Sequence, residues 1–79
     1  MKVQVLFFGA TADAVGKREV EMRFADRIKS ADALAEIKRQ FPQLNQHSLL
    51  FAVNQDYAKG GELIKDGDEL AVFTHVSGG

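Results

Sequence analysis

The sequence predicts an α+β domain, a mixed sheet of four to five strands with one main helix on one face. Two observations carry that prediction. Three segments alternate with period two, around Val3-Val5-Phe7, Val20-Met22-Phe24 and Leu70-Val72-Thr74. One segment between them repeats at helical spacing, with Leu34, Ile37 and Phe41 at i, i+3 and i+7. A single amphipathic helix beside several strands has one stable place to go, across a face of the sheet they form.

The elements follow in order. Val3, Val5 and Phe7 form the apolar side of a first strand that ends before Gly9, while Lys2, Gln4, Leu6 and Phe8 share its other side. Residues 10–17 read as a loop with a short helical turn, closed by Gly16. In the second strand Val20, Met22 and Phe24 alternate cleanly with Glu19, Glu21 and Arg23, so one face packs and the other meets water. Ser30 reads as a helix N-cap, with Asp32 in the first turn and Lys38 and Arg39 near the C-terminal end, as the helix dipole favours. Pro42 stops the helix near Gln40 or Phe41. Leu49 to Val53 is a continuous apolar run and reads as a buried strand. Tyr57-Ala58-Lys59 reads as a short edge strand, Gly60-Gly61 and Asp66-Gly67-Asp68 as turns, and Glu69 to Thr74 as the last strand. Residues 1–74 are therefore read as one domain and residues 75–79 as a flexible C-terminal tail.

Composition narrows the function classes. A chain of 79 residues holds one domain without room for a deep multi-segment pocket. The net charge of −1 argues against nucleic acid as a partner. With no cysteine, disulfides, thiolate metal sites and a catalytic thiol are excluded, and His47 and His75 lack ligand spacing, so no metal is expected. The first residues are too short for a signal peptide, and no apolar run approaches the roughly 20 residues that span a bilayer. The expectation is a cytoplasmic protein with no membrane contact.

Catalytic motifs are missing as well. Gly60-Gly61 is not part of a phosphate loop, and no G-x-S-x-G elbow occurs. Asp66, Asp68 and Glu69 read as a solvated turn. The chemistry is left to the end of the sequence, Gly78-Gly79. Two glycines there arise by chance about once in two hundred chains at roughly 7% glycine usage. A terminal carboxylate, with a pKa of about 3.3–3.7, is ionised at neutral pH and a poor electrophile. It must be activated, typically as an acyl-adenylate, before a nucleophile can attack its carbon. Glycine lacks Cβ, threads a narrow channel and leaves that carbon open. Extended, the six residues from Thr74 to Gly79 reach about 20 Å.

Four stretches now join into a family pattern: Val5-Leu6-Phe7-Phe8, Ala52-Val53-Asn54-Gln55, Asp66-Gly67-Asp68-Glu69-Leu70-Ala71 and Val76-Ser77-Gly78-Gly79. With these the chain resembles the small subunit of molybdopterin synthase, the MoaD-like sulfur carriers of the ThiS/MoaD family of ubiquitin-like proteins. The resemblance implies the β-grasp fold. It also implies a carrier that is not itself an enzyme and binds no cofactor. Gly79 would be adenylated from ATP by a MoeB-like activating enzyme and converted to a thiocarboxylate with sulfur from a donor such as a cysteine desulfurase. The tail would then enter a MoaE-like large subunit, where the catalytic side chains reside, and give its sulfur to cyclic pyranopterin monophosphate. Family members usually carry Pro-Pro where this chain has Thr74-His75. Loss of those prolines predicts a more flexible tail and a costlier insertion. His75 is then either an exposed polar residue or a hydrogen-bonding group in the partner channel.

In the implied fold the first and last strands are neighbours, which puts Leu6, Phe8 and Phe73 in one apolar patch beside the tail. Such a patch marks an interface unless a loop covers it. The expected partner-binding residues are therefore Leu6, Phe8, Phe73, His75, Val76 and Ser77, with Gly78 and Gly79 as the reactive end. A carrier for thiamine or for tRNA thiolation, a ubiquitin-like modifier joined through Gly79 to a lysine, and a plain binding module remain as alternatives.

Overall fold

The computed structural model describes residues 1–75. The expected site residues Val76, Ser77, Gly78 and Gly79 lie outside the described residues. Lys2–Phe7 (β1), Glu19–Arg23 (β2), Leu49–Val53 (β3), Asp56–Tyr57 (β4) and Glu69–Thr74 (β5) are strands, and Ala10–Val15 (α1) and Ser30–Gln40 (α2) are α-helices. The sheet order is β2-β1-β5-β3-β4. β1 and β5 run parallel at its centre, and every other neighbouring pair is antiparallel. This is the β-grasp arrangement, with the mixed sheet and single main helix that the alternation and the helical stripe predict.

The inner face of the sheet forms the core. Val3, Val5 and Phe7 of β1 and Leu70 and Val72 of β5 lie there with Ala33 and Ile37 of α2. Leu34 and Phe41 sit at the margin of that stripe and are only partly buried, with the Phe41 ring meeting Phe7 edge to face at 5.4 Å. Fully burying a side chain such as Ile37 contributes about 1.5–3 kcal/mol.

The start of α2 differs from the sequence reading. Lys29, with φ −86° and ψ 156°, occupies the cap position, and Ser30 is already helical. The cause is the segment that crosses beneath the helix. The Ser30 N–H donates to the Glu62 carbonyl at 2.7 Å and the Ala31 N–H to the Gly60 carbonyl at 3.1 Å, so neighbouring backbone satisfies the orphan donors that a side-chain cap would otherwise take. The buried Ser30 hydroxyl is thereby free to donate to Glu62 Oε1 at 2.6 Å. The same carboxylate accepts the backbone N–H of Lys59 at 2.8 Å and of Gly60 at 2.9 Å. These bonds, the Ser30 hydroxyl first, hold the Glu62 pKa down to about 2. Gly60 has φ 113°, and a Cβ there would sit 3.2 Å from Ala31 Cβ, so both conformation and space require glycine.

Three smaller differences follow the same logic. Residues 10–15 close into a full short helix where a loop with one turn is expected, because Thr11 anchors it from within. Pro42 ends α2 as predicted but also opens a 3₁₀ helix, Pro42–Gln46, which buries Leu44. The edge strand is Asp56–Tyr57, one residue earlier than Tyr57-Ala58-Lys59, because a two-residue turn at Asn54-Gln55 fixes its register.

Candidate functional site

The outer face of the sheet, opposite α2, is open. Register assigns its residues in rows. Lys2 pairs with Arg23, and Gln4 lies between Glu21 and Glu69. One step up, Leu6 lies between Glu19 and Ala71, and Ala71 pairs in turn with Ala52 and through it Tyr57. At the top Phe73 pairs with Leu50, beside Phe8 just past the end of β1. The rows at the starts of β1 and β5 are thus polar, and Gln4 donates a hydrogen bond to Glu19. The rows at the ends of those strands, where the chain leaves β5 toward the tail, are apolar.

The apolar rows enclose a groove of about 420 Å³, floored by Ala52 and Ala71 and walled by Phe8, Phe73 and Tyr57, with Gln55 and Glu69 at its rim. The Tyr57 and Phe73 rings lie 5.8 Å apart at 58°, a tilted aromatic pair. Phe8 is 52% exposed and Tyr57 74% exposed, large apolar area left in contact with water. Phe8 also borders a second hollow on the β2 side, where Leu6 meets Asp13, Arg18 and Glu19. The ring is therefore shared by the apolar groove and a second hollow that also carries charged side chains.

The backbone beneath that ring is fixed. The Phe8 N–H donates to Thr11 Oγ1 at 3.0 Å, and the Thr11 hydroxyl lies 2.8 Å from the carbonyls of both Phe8 and Val72, either of which can accept its proton. Gly9 follows at φ 58° and ψ −125°, a region closed to residues with a Cβ, and turns the chain directly from β1 into α1. The aromatic ring is exposed while its main chain is held.

The other end of the sheet face is tied by the Asp66-Gly67-Asp68 turn. Asp66 Oδ1 accepts the Lys2 N–H at 2.8 Å, the Gly67 N–H donates to the Lys2 carbonyl at 2.8 Å, and the Gln4 N–H donates to the Asp68 carbonyl at 3.0 Å. These acidic residues connect β1 to β5.

Of the residues expected from sequence, the structure brings Leu6, Phe8 and Phe73 onto one face, and among the described residues Phe8 is left half exposed. His75 is exposed and directly follows β5. Tyr57, Leu50 and Ala52 complete the apolar face and are absent from the sequence expectation. The signal for Tyr57 was the pair Asn54-Gln55, two turn-compatible residues following an apolar run, which sets a hairpin register and places Tyr57 opposite Ala52.

Comparison with known proteins gives a consistent picture. The model of the ThiS family matches residues 5–79. The molybdopterin synthase sulfur carrier subunit of Chlamydomonas reinhardtii is 34% identical over 83 aligned positions, covering 100% of both chains. Among solved structures, small archaeal modifier protein 1 of Haloferax volcanii superposes with a TM-score of 0.85 at 25% identity, covering 95% of this chain and 98% of that one. A chain from the complex of subunits 1 and 2 of the molybdopterin-converting factor of Helicobacter pylori shares the fold, with a TM-score of 0.73 at 23% identity and 100% coverage of both chains.

Proposed function

This chain belongs to the ThiS family, and from that premise we propose that it is the sulfur carrier subunit of molybdopterin synthase. The observation that supports this most strongly is the end-to-end likeness to a carrier of that name, 34% identical with both chains fully covered. The open apolar face at the root of the tail supports it independently, because a carrier must dock before its tail can act.

In this reading residues 1–74 are the body and residues 75–79 the arm. A Gly79 carboxylate oxygen attacks the α-phosphorus of ATP on a MoeB-like activating enzyme and releases pyrophosphate. The terminal sulfur of a cysteine persulfide on the donor displaces AMP to give an acyl disulfide. A second thiol of the donor protein then attacks the cysteine sulfur and breaks the S–S bond, so that Gly79 leaves as the thiocarboxylate and the donor is left as a disulfide. The body then docks its outer groove on a MoaE-like large subunit; a solved chain of the same fold comes from a complex of subunits 1 and 2 of the molybdopterin-converting factor. Leu6, Phe8, Tyr57 and Phe73 form the contact, and His75, Val76 and Ser77 lead Gly78 and Gly79 into the partner's site. There the sulfur passes to the pterin precursor. The catalytic side chains belong to the partner, and this chain needs no bound cofactor.

A second reading is favoured by the likeness to small archaeal modifier protein 1, 25% identical. The same activated acyl group would join Gly79 to a lysine of a target protein. An intact-mass spectrum of the protein from its native cell separates the two. A gain of about 16 Da, one oxygen replaced by sulfur, is expected for the carrier. A ladder of covalent adducts with unshifted free protein would overturn the carrier reading in favour of the modifier.

A further inference from the structure

The outer wall of the groove is the least supported part of the sheet. β4 contributes two ladder pairs, Ala52 with Tyr57 and Val53 with Asp56. One further backbone bond, from the Ala58 N–H to the Phe51 carbonyl at 2.9 Å, follows them. Tyr57 is 74% exposed, so core packing does not hold it. Its ring nevertheless stands against Phe73.

The turn that delivers Tyr57 is held at Asn54. Asn54 and Gln55 both lie in the left-handed region, at φ 49° and 74°, the geometry of a type I′ hairpin. Three hydrogen bonds then tie Asn54 to the start of β5. Its N–H donates to the Glu69 carbonyl at 2.8 Å. Its side-chain carbonyl accepts the Glu69 N–H at 2.9 Å. Its amide donates to Asp68 Oδ1 at 3.0 Å, and Asp68 Oδ2 accepts the Lys65 N–H at 2.8 Å. The Glu69 N–H needs an acceptor and the Asp68 carboxylate a donor, so the amide has one satisfying orientation.

We propose that Asn54 is a positioning residue for docking, which acts through Tyr57 by holding the β3–β4 hairpin against β5 so that the groove stands open before a partner arrives. The proposal rests on the reading that this groove receives the large subunit. A side chain ordered in advance is not ordered at the moment of binding, and each such ordering costs about 0.5–1.5 kcal/mol, or roughly 2–13-fold in affinity. Asn54 itself is exposed and its side chain bonds to Asp68 and Glu69, which are not core residues, so its loss acts on the wall and leaves the fold in place.

The test is a double-mutant cycle in the full chain, titrated calorimetrically against the purified large subunit. Asn54→Gly keeps the left-handed backbone accessible and removes both side-chain bonds. It is expected to weaken binding about 2–13-fold, and to weaken it less than about twofold when Tyr57→Ala is already present. Amide exchange at Ala58 is expected to quicken in Asn54→Gly while exchange at core amides such as Val5 is unchanged. Wild-type affinity in Asn54→Gly, or the same loss of affinity with Tyr57 already removed, overturns the proposal. Unchanged exchange at Ala58 overturns it too. If the wild-type chain itself does not bind the large subunit, the docking reading fails, and Ala58 exchange, which needs no partner, still decides whether Asn54 holds the wall.

Discussion

Removing the Phe8 ring tests whether the outer groove is the docking surface. Phe8 is 52% exposed. A phenylalanine side chain offers about 200 Å², so about 100 Å² remains to be buried by a partner. At about 25 cal/mol per Å² that area is worth about 2.5 kcal/mol, or roughly 60-fold in affinity. Phe8→Ala should therefore raise the Kd for the large subunit about 60-fold. Stability should change little, because the ring already stands in water and the Thr11 clasp holds the backbone, not the side chain. Leu63→Ala supplies the control. Leu63 is 55% exposed, as much as Phe8, but it lies in the segment that bridges to Lys29 and does not line the groove. Titration calorimetry of both variants against the large subunit, with thermal melts alongside, measures the contrast. A Phe8→Ala variant that binds within about threefold of wild type at an unchanged melting temperature, or a Leu63→Ala variant that loses as much, would refute the argument.

Four further outcomes are expected. Gly60→Ala forces a Cβ against Ala31 at φ 113° and should cost about 1–3 kcal/mol, lowering the melting temperature by several degrees; an unchanged melt contradicts the assigned strain. Glu62 titrates at about 2 when folded, below its ordinary 4.5. Its contribution is therefore complete above about pH 4.5 and lost as pH falls toward 2, so Glu62→Gln should flatten the loss of stability across that window in melts at stepped pH, and a parallel decline in both proteins would count against it. Gln55→Gly relieves a left-handed conformation worth about 1–2 kcal/mol and returns part of it as glycine entropy, for a net gain of about 0.5–1 kcal/mol in denaturant unfolding; a lower midpoint opposes this. His75→Pro lies past the last ladder pair, Leu49 with Thr74. It should tighten docking about 2–5-fold by pre-extending the arm, whereas weaker binding would mean that His75 contacts the partner.

The fold was legible because its signals are local and agree. Alternation around Val5, Met22 and Val72 and the stripe through Ile37 each survive inspection of a short window, and together they admit few topologies. The face of Leu6, Phe8 and Phe73 was legible for the same reason once β1 and β5 are neighbours. What escaped depends on long-range contact. Ser30 reads as a cap, yet its partner is Glu62, 32 positions away. Thr11 is an unremarkable loop residue until Val72, 61 positions away, accepts its hydroxyl. Tyr57 lay at the edge of sight, because its membership of the face depends on whether the preceding turn has two residues or three, and a shift of one position moves every side chain to the other face.

The distribution of polarity on the outer face bears on why the groove exists. Nothing in the fold requires apolar residues at Leu6, Phe8 and Phe73. The same two strands carry Gln4 and Glu69 on the same face one or two steps away, so polar side chains are compatible with those positions. Solubility would favour extending them along the whole face, since exposed Phe8 and Tyr57 invite association. Local backbone strain cannot account for the pattern either, because the left-handed residues other than glycine among the described residues are Arg27, Asn54 and Gln55, none of them adjacent in sequence to Leu6, Phe8 or Phe73. What distinguishes the apolar rows is their place: they occupy the ends of β1 and β5, and from the end of β5 the chain continues toward residue 79. In the proposed reading a partner that seats on these rows lies beside Thr74, where β5 ends, and the polar rows lie at the other end of the strand. On that reading docking and delivery share one surface, and the Tyr57–Phe73 contact at 5.8 Å serves docking.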